Sequence, residues 1–134
     1  VHPALWPIIL RSKPAGRLIL VSDAMSLAGC GDGPGSIGGL DVVVKDGRVT
    51  LTGTDTLAGS VIAINMAVRN LAREGVPLPV AVAAATSSPA ALLGESDRGR
   101  IEVDRRAHLV ELDDDLRVRR VTRGAGWFEG AGPA

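Results

Sequence analysis

Asp23 is the residue whose position most suggests chemistry. In RLILVSDAMSLAG (17–29), four consecutive apolar residues at 18–21 read as a buried strand. They run into a serine, a lone carboxylate, and then small residues and glycines. In a parallel α/β sheet, side chains at the carboxyl ends of strands face the mouth where ligands bind. A carboxylate there can shuttle a proton, ligate a metal, or anchor its own loop by accepting hydrogen bonds from the amides of Met25 and Ser26. Position alone does not choose among the three. The other reactive side chains offer less. Cys30 has no CxxC or Cys/His partner with which to build a metal or redox site. His2, on an amphipathic start, reads as a surface or capping side chain, and His108 stands beside a predicted strand.

The elements that must hold Asp23 follow from apolar periodicity and turn residues. HPALWPIILRSKPAG predicts a short helix ended by Pro14 and Gly16. A strand at 18–22 leads into a glycine-rich loop of about fifteen residues, a length usually reserved for functional or disordered segments. LDVVVKDGRVTLTG predicts a hairpin turning at Asp46-Gly47, a dipeptide suited to positive φ. Leu57, Val61, Ile64, Val68 and Leu71 recur every three or four residues. They predict one long helix that Asp55 or Thr56 caps and Gly75 ends. Two shorter helices follow, broken at Ser87–Pro89 and closed by Gly94. GRIEV, AHLVELD and LRVRRVTRG read as strands, with Asp113 to Asp115 as the turn between the last two. A boundary near 94–100 divides an α/β part, residues 1–97, from a β part, residues 98–134.

The bulk composition narrows the partners. The chain has 134 residues, enough for one core, and its 15 basic and 15 acidic side chains cancel. No global field draws it to nucleic acid or to an anionic membrane. The arginines between 98 and 123 alternate with valines and carboxylates, as on a solvated strand face. No apolar run approaches the ~20 residues that span a bilayer. A single cysteine excludes an intramolecular disulfide framework and fits a reducing compartment. The opening VHPALWPIIL makes a poor signal peptide, and the chain reads as a piece of something longer.

From Leu18 onward the succession of motifs resembles the carboxy-terminal part of N-acetylglucosamine-6-phosphate deacetylases, in the amidohydrolase superfamily. The residues that carry it are LVSDAMSLAG (20–29), IGG (37–39), KDG (45–47), TLAGS (56–60), AVRNLAREGVPL (67–78) and SSPAALLG (87–94). GRIEVDRRAHLVELD (99–113) and VTRGAGWFEG (121–130) continue it. The resemblance implies an α/β fold: the C-terminal part of a (β/α)8 TIM-like barrel, with 98–134 supplying strands of a small β-sandwich domain. It implies that Asp23 is the catalytic proton donor and acceptor, at the end of the last barrel strand, and that Leu57, Ala58 and Gly59 form a substrate-contacting turn before a helix. Gly59, lacking a Cβ, would let a ligand approach closely.

The implied reaction is hydrolysis of the acetamide of N-acetylglucosamine 6-phosphate, giving glucosamine 6-phosphate and acetate. A divalent metal, commonly zinc, serves it in the family; its ligands are a glutamate and two histidines that have no counterpart in residues 1–134. The resemblance further implies a small-molecule amino-sugar phosphate as partner, no nucleic acid or membrane, a cytoplasmic setting and a homodimer at full length. Two alternatives stand beside this reading: another amidohydrolase acting on a cyclic or acylated amide, and a non-catalytic remnant serving as an interaction module. Asn65 stands where many relatives carry aspartate, Asp104 replaces a turn glycine, and His108 replaces the aspartate of an ADLV tract. Neutral drift and relaxed constraint both fit these departures. A barrel strand without neighbours exposes edges, so the isolated chain is expected to be poorly stable, metal-free and inactive.

Overall fold

The computed structural model describes residues 2–13 and 16–130. The chain packs as two compact units, one of residues Val21–Ala67 and one that joins Val1–Leu20 to Val68–Ala134. Mixed helices and sheets place it in the α/β class.

In the first unit, strands β1 (Gly33–Ile37), β2 (Leu40–Lys45), β3 (Arg48–Leu51) and β4 (Leu57–Ser60) form an antiparallel sheet in sequential order. The β2–β3 hairpin turns at Asp46 and Gly47, both at positive φ (50° and 73°), as the Asp-Gly pair predicts. Val42, Val44 and Val49 are buried, and Leu27, Ile37, Leu51, Ala58 and Val61 pack around them. Two expectations change here. The supposed long loop contains β1, because 33–37 finds a ladder partner in β2 (Gly33↔Val44 to Ile37↔Leu40). The long helix loses its first turns to β4. Its apolar spacing at 57 and 61 is shared by a strand, Gly59 weakens a helix interior by about 1 kcal/mol, and the open side of β3 offers backbone partners. Asp55 and Thr56 therefore cap no helix. The Thr56 amide donates to Thr54 Oγ1 (3.2 Å) in the β3–β4 connection instead.

In the second unit, a 3-10 turn (Pro3–Leu5) opens α1 (Trp6–Ser12), with the exposed His2 accepting a hydrogen bond from the Ala4 amide through Nδ1 (3.3 Å). The capping reading of His2 holds. Pro14, expected to end this helix, lies outside the described residues. Helix α2 (Ile64–Arg73) buries Val68 and Leu71, the second half of the predicted stripe. It ends where expected. Gly75 (φ 83°) donates to Ala72, and Val76 donates to the Leu71 carbonyl (3.2 Å), while both side chains of that last pair are buried in one cluster. Helices α3 (Leu78–Ala85) and α4 (Ser87–Leu92) break at Thr86 rather than within 87–89. Pro89 falls in the first turn of α4, where its missing N–H costs nothing.

Residues 18–22 do not form a strand among the described residues. Leu18 and Leu20 pack with Trp6 and Leu10 against the Val68–Leu71–Val76–Ala81 cluster, and the Leu20 amide donates to the Ala84 carbonyl (2.9 Å). A strand is defined by its ladder, and apolar packing alone does not provide one. GRIEV (99–103) is likewise not a strand; its Glu102 pairs with Arg100 (3.8 Å) and Arg105 (2.6 Å), and just before it Arg98 pairs with Glu95 (3.2 Å) and Asp97 (3.1 Å). Asp104 sits there at φ 65°, a conformation that glycine adopts most readily. Strands β5 (His108–Leu112), β6 (Val118–Arg123) and β7 (Trp127–Glu129) form a second antiparallel sheet. The predicted turn between β5 and β6 forms, with Asp113 Oδ1 accepting from the amides of Asp115 (2.9 Å) and Arg117 (2.8 Å). Strand β7 has no periodic signal in its three residues and was not anticipated.

Candidate functional site

Asp23 lies in the four-stranded unit with a left-handed backbone (φ 49°). Aspartate tolerates this region better than most residues, but the conformation still costs on the order of 1 kcal/mol. Neighbouring structure must hold it. Ala24 forms a parallel bridge with Ser60 at the end of β4, and the Met25 amide donates to the Ser60 carbonyl (2.8 Å). The loop-anchor alternative therefore fails at both of its bonds: the Met25 amide is spent on Ser60, and the Ser26 amide makes no hydrogen bond to the Asp23 carboxylate. That carboxylate is exposed, and among the described residues no hydrogen bond or ion pair engages it.

The turn continues through residues 26–29. The Ala28 amide donates to the Met25 carbonyl (3.0 Å) and the Cys30 amide to that of Leu27 (3.1 Å). Two side chains of this turn rest on glycines of the sheet. A Cβ built on Gly59 (φ 146°) would fall on Sδ and Cγ of Met25, the latter at 2.6 Å. One built on Gly35 in β1 would lie 2.6 Å from Cδ1 of Leu27.

Leu57, Ala58 and Gly59 thus share with Asp23 the β4 end of this sheet, joined through the Ala24–Ser60 bridge. They do not stand at a helix entry, as expected; they pair with β3, Thr50 opposite Leu57 and Val49 opposite Gly59. Leu57 is 62% exposed, Ala58 packs on the valine cluster, and Gly59 carries the Met25 thioether. Sequence reasoning missed Met25 and Ser60 as the residues that hold this arrangement. The available signal was slight: a methionine two positions after the aspartate, and a glycine inside a stretch that can be read as a strand.

Among the described residues, no group of three or more His, Cys, Asp and Glu side chains is placed to hold a metal ion. No helix among them is long and apolar enough to cross a membrane. Cys30 is exposed, and His108 begins β5 opposite Arg123.

The chain thus presents an exposed carboxylate on a turn seated over two glycines of the sheet, and comparison with known proteins supplies the class. No protein-family model matches the sequence. A putative N-acetylgalactosamine-6-phosphate deacetylase of Escherichia coli K12 is 33% identical over 132 residues, covering 97% of this chain and 75% of that protein. The N-acetylglucosamine-6-phosphate deacetylases of Caenorhabditis elegans and Homo sapiens are each 37% identical over 120 residues. This chain spans 28% and 29% of their lengths. The crystal structure of the Thermotoga maritima N-acetylglucosamine-6-phosphate deacetylase superposes with a TM-score of 0.84 at 33% identity, covering 97% of this chain and 36% of that one. A Mycobacterium smegmatis mutant in complex with N-acetyl-D-glucosamine-6-phosphate gives 0.82 at 37% identity, covering 95% of this chain and 34% of that one. The chain belongs to the N-acetylglucosamine-6-phosphate deacetylase family.

Proposed function

We propose that the chain takes part in hydrolysis of the acetamide of N-acetylglucosamine 6-phosphate, with Asp23 as the residue that moves the proton. The observation that carries the reading is Asp23 itself, set at φ 49° beside the end of β4 with no partner among the described residues, in a chain of this family. Water adds to the acetamide carbonyl as Asp23 takes one of its protons. Asp23 then delivers that proton to the nitrogen as the C–N bond breaks, leaving a free amine and acetic acid. Proton transfer of this kind needs the base within hydrogen-bond reach of the water, so the transfer has to be short. Leu57, the exposed member of the 57–59 tract, is proposed to contact the sugar. Ala58 and Gly59 support it from the sheet.

The divalent metal implied by the family resemblance is not fitted by the described residues, which assemble no ligand set for it. No step assigned to this chain passes through a metal. The finer architecture belongs to the same proposal: residues 1–97 as the C-terminal part of the barrel and 98–134 as strands of the small β domain. Cytoplasmic location and a full-length homodimer are further parts of this reading.

The relatives also favour a second substrate, since two Escherichia coli proteins at 33% identity are named as N-acetylgalactosamine-6-phosphate deacetylases, one of them putatively. The two substrates differ in the configuration of one hydroxyl. The test is acetate release from each sugar phosphate by the native protein carrying this sequence, beside its Asp23→Asn variant. An amide cannot carry the proton, so kcat should fall by about 10²–10⁴-fold with little change in KM. Undiminished turnover in the variant would remove Asp23 from the reaction.

A further inference from the structure

We infer that Met25 and Leu27 are positioning residues for Asp23, and that Gly59 and Gly35 are the places in the sheet that receive those two side chains. The inference rests on the proposed role of Asp23 and adds how its place is set. The Asp23 carboxylate has no hydrogen bond or ion pair among the described residues. Its backbone is held in a left-handed conformation, and the support begins at the next residues.

That support is a two-point seat. Met25 binds the Ser60 carbonyl through its amide (2.8 Å), and its thioether lies over Gly59 where any Cβ would collide. Two residues on, Leu27 lies over Gly35, with Cδ1 and Cδ2 at 2.6 and 3.1 Å from the place a Cβ would take. Gly59 is in β4 and Gly35 in β1, the two outer strands of the sheet. The turn after Asp23 therefore lies across the sheet and is pegged at both sides. Unbranched, flexible methionine can lie over backbone, and Leu27 also joins the valine cluster. The backbone bonds Ala28 to Met25 and Cys30 to Leu27 keep the two pegs at a fixed separation.

Met25→Ala removes one peg while leaving every backbone bond in place. Gly59→Ala displaces the same peg and adds strain at φ 146°. In the native protein carrying this sequence, amide and carboxyl NMR resonances of Asp23 should shift by several linewidths in both variants, while those of Val42 and Val44 stay in place. Added to Met25→Ala, Gly59→Ala should move Asp23 less than it does alone, since the thioether is already gone and only the strain at φ 146° remains. Met25→Leu should restore part of the parent position. In native active protein, Met25→Ala should lower kcat by about 10–100-fold with KM within about twofold, the pattern of a misdirected proton carrier. An Asp23 resonance unmoved in Met25→Ala overturns the inference. Turnover undiminished by Asp23→Asn overturns instead the assignment of the proton step, and the resonances still decide the seating.

Discussion

The two sheets of this chain are built from similar short antiparallel strands and are stabilised by different forces. In the β1–β4 sheet, Val42, Val44 and Val49 are 1%, 4% and 0% exposed, and the site turn lies on glycines of the same sheet. In the β5–β7 sheet, Val110, Val121 and Phe128 stand opposite one another in register, yet Val110 is 58% and Phe128 64% exposed. Order there comes from polar contacts. Arg120 donates to Glu111 (2.7 Å) and lies 4.4 Å from the centre of the Trp127 ring. The comparison teaches that the proposed acid–base residue rides on the sheet that owns a dry core. Burial sets positions closely because close-packed side chains have few alternative arrangements, whereas exposed ion pairs contribute little and tolerate rearrangement.

The sharpest way to break the contrast is to remove the same kind of apolar group from each sheet. Val49→Ala should cost roughly 2 kcal/mol in denaturant unfolding, since it deletes two fully buried methyl groups and leaves a cavity. Phe128→Ala, a larger deletion on an exposed face, should stay within about 0.5 kcal/mol. Equal losses would mean that the second sheet is held by burial after all. A smaller effect is expected from Glu111→Gln. It weakens a half-exposed pair with Arg120 and should cost about 0.2–1 kcal/mol, falling further in added salt. A loss insensitive to salt would contradict the polar account of that sheet.

The smallest effect concerns acid. The hydrogen bond from Arg98 holds the Asp97 carboxyl below its ordinary 3.8, with the charge of Arg106 adding to it and desolvation opposing. A group depressed on folding contributes stability above its unfolded pKa and loses it as pH falls through the folded value. Thermal melts of Asp97→Asn should therefore lie slightly below those of the parent near neutrality. The two should converge as pH drops below about 4. A difference that persists at low pH would assign Asp97 some role other than charge pairing.

Much of this organisation is legible in the residues. The Asp46-Gly47 turn, the Gly75 and Gly94 helix ends, and the Asp113 turn each follow from local backbone requirements that few residues meet. Asp23 stands out for the same kind of reason, as a lone charge after an apolar run. What misleads is any segment whose state depends on distant partners. Residues 57–60 share a helical spacing with 64–71 but pair with β3, and β1 hides in a glycine-rich tract until β2 lies beside it. Residues 18–22 have the composition of a strand and no ladder among the described residues to make one.

By itself, then, the amino-acid order determined the turns, the helix ends and the acid group worth watching, because these depend on φ preferences and hydrophobicity within a few residues. Tertiary structure decided which glycines receive which side chains, and so how the Asp23 turn is seated. A space above a glycine is defined by the strand that carries it and the turn that crosses it, and neither is specified by nearest neighbours in the chain.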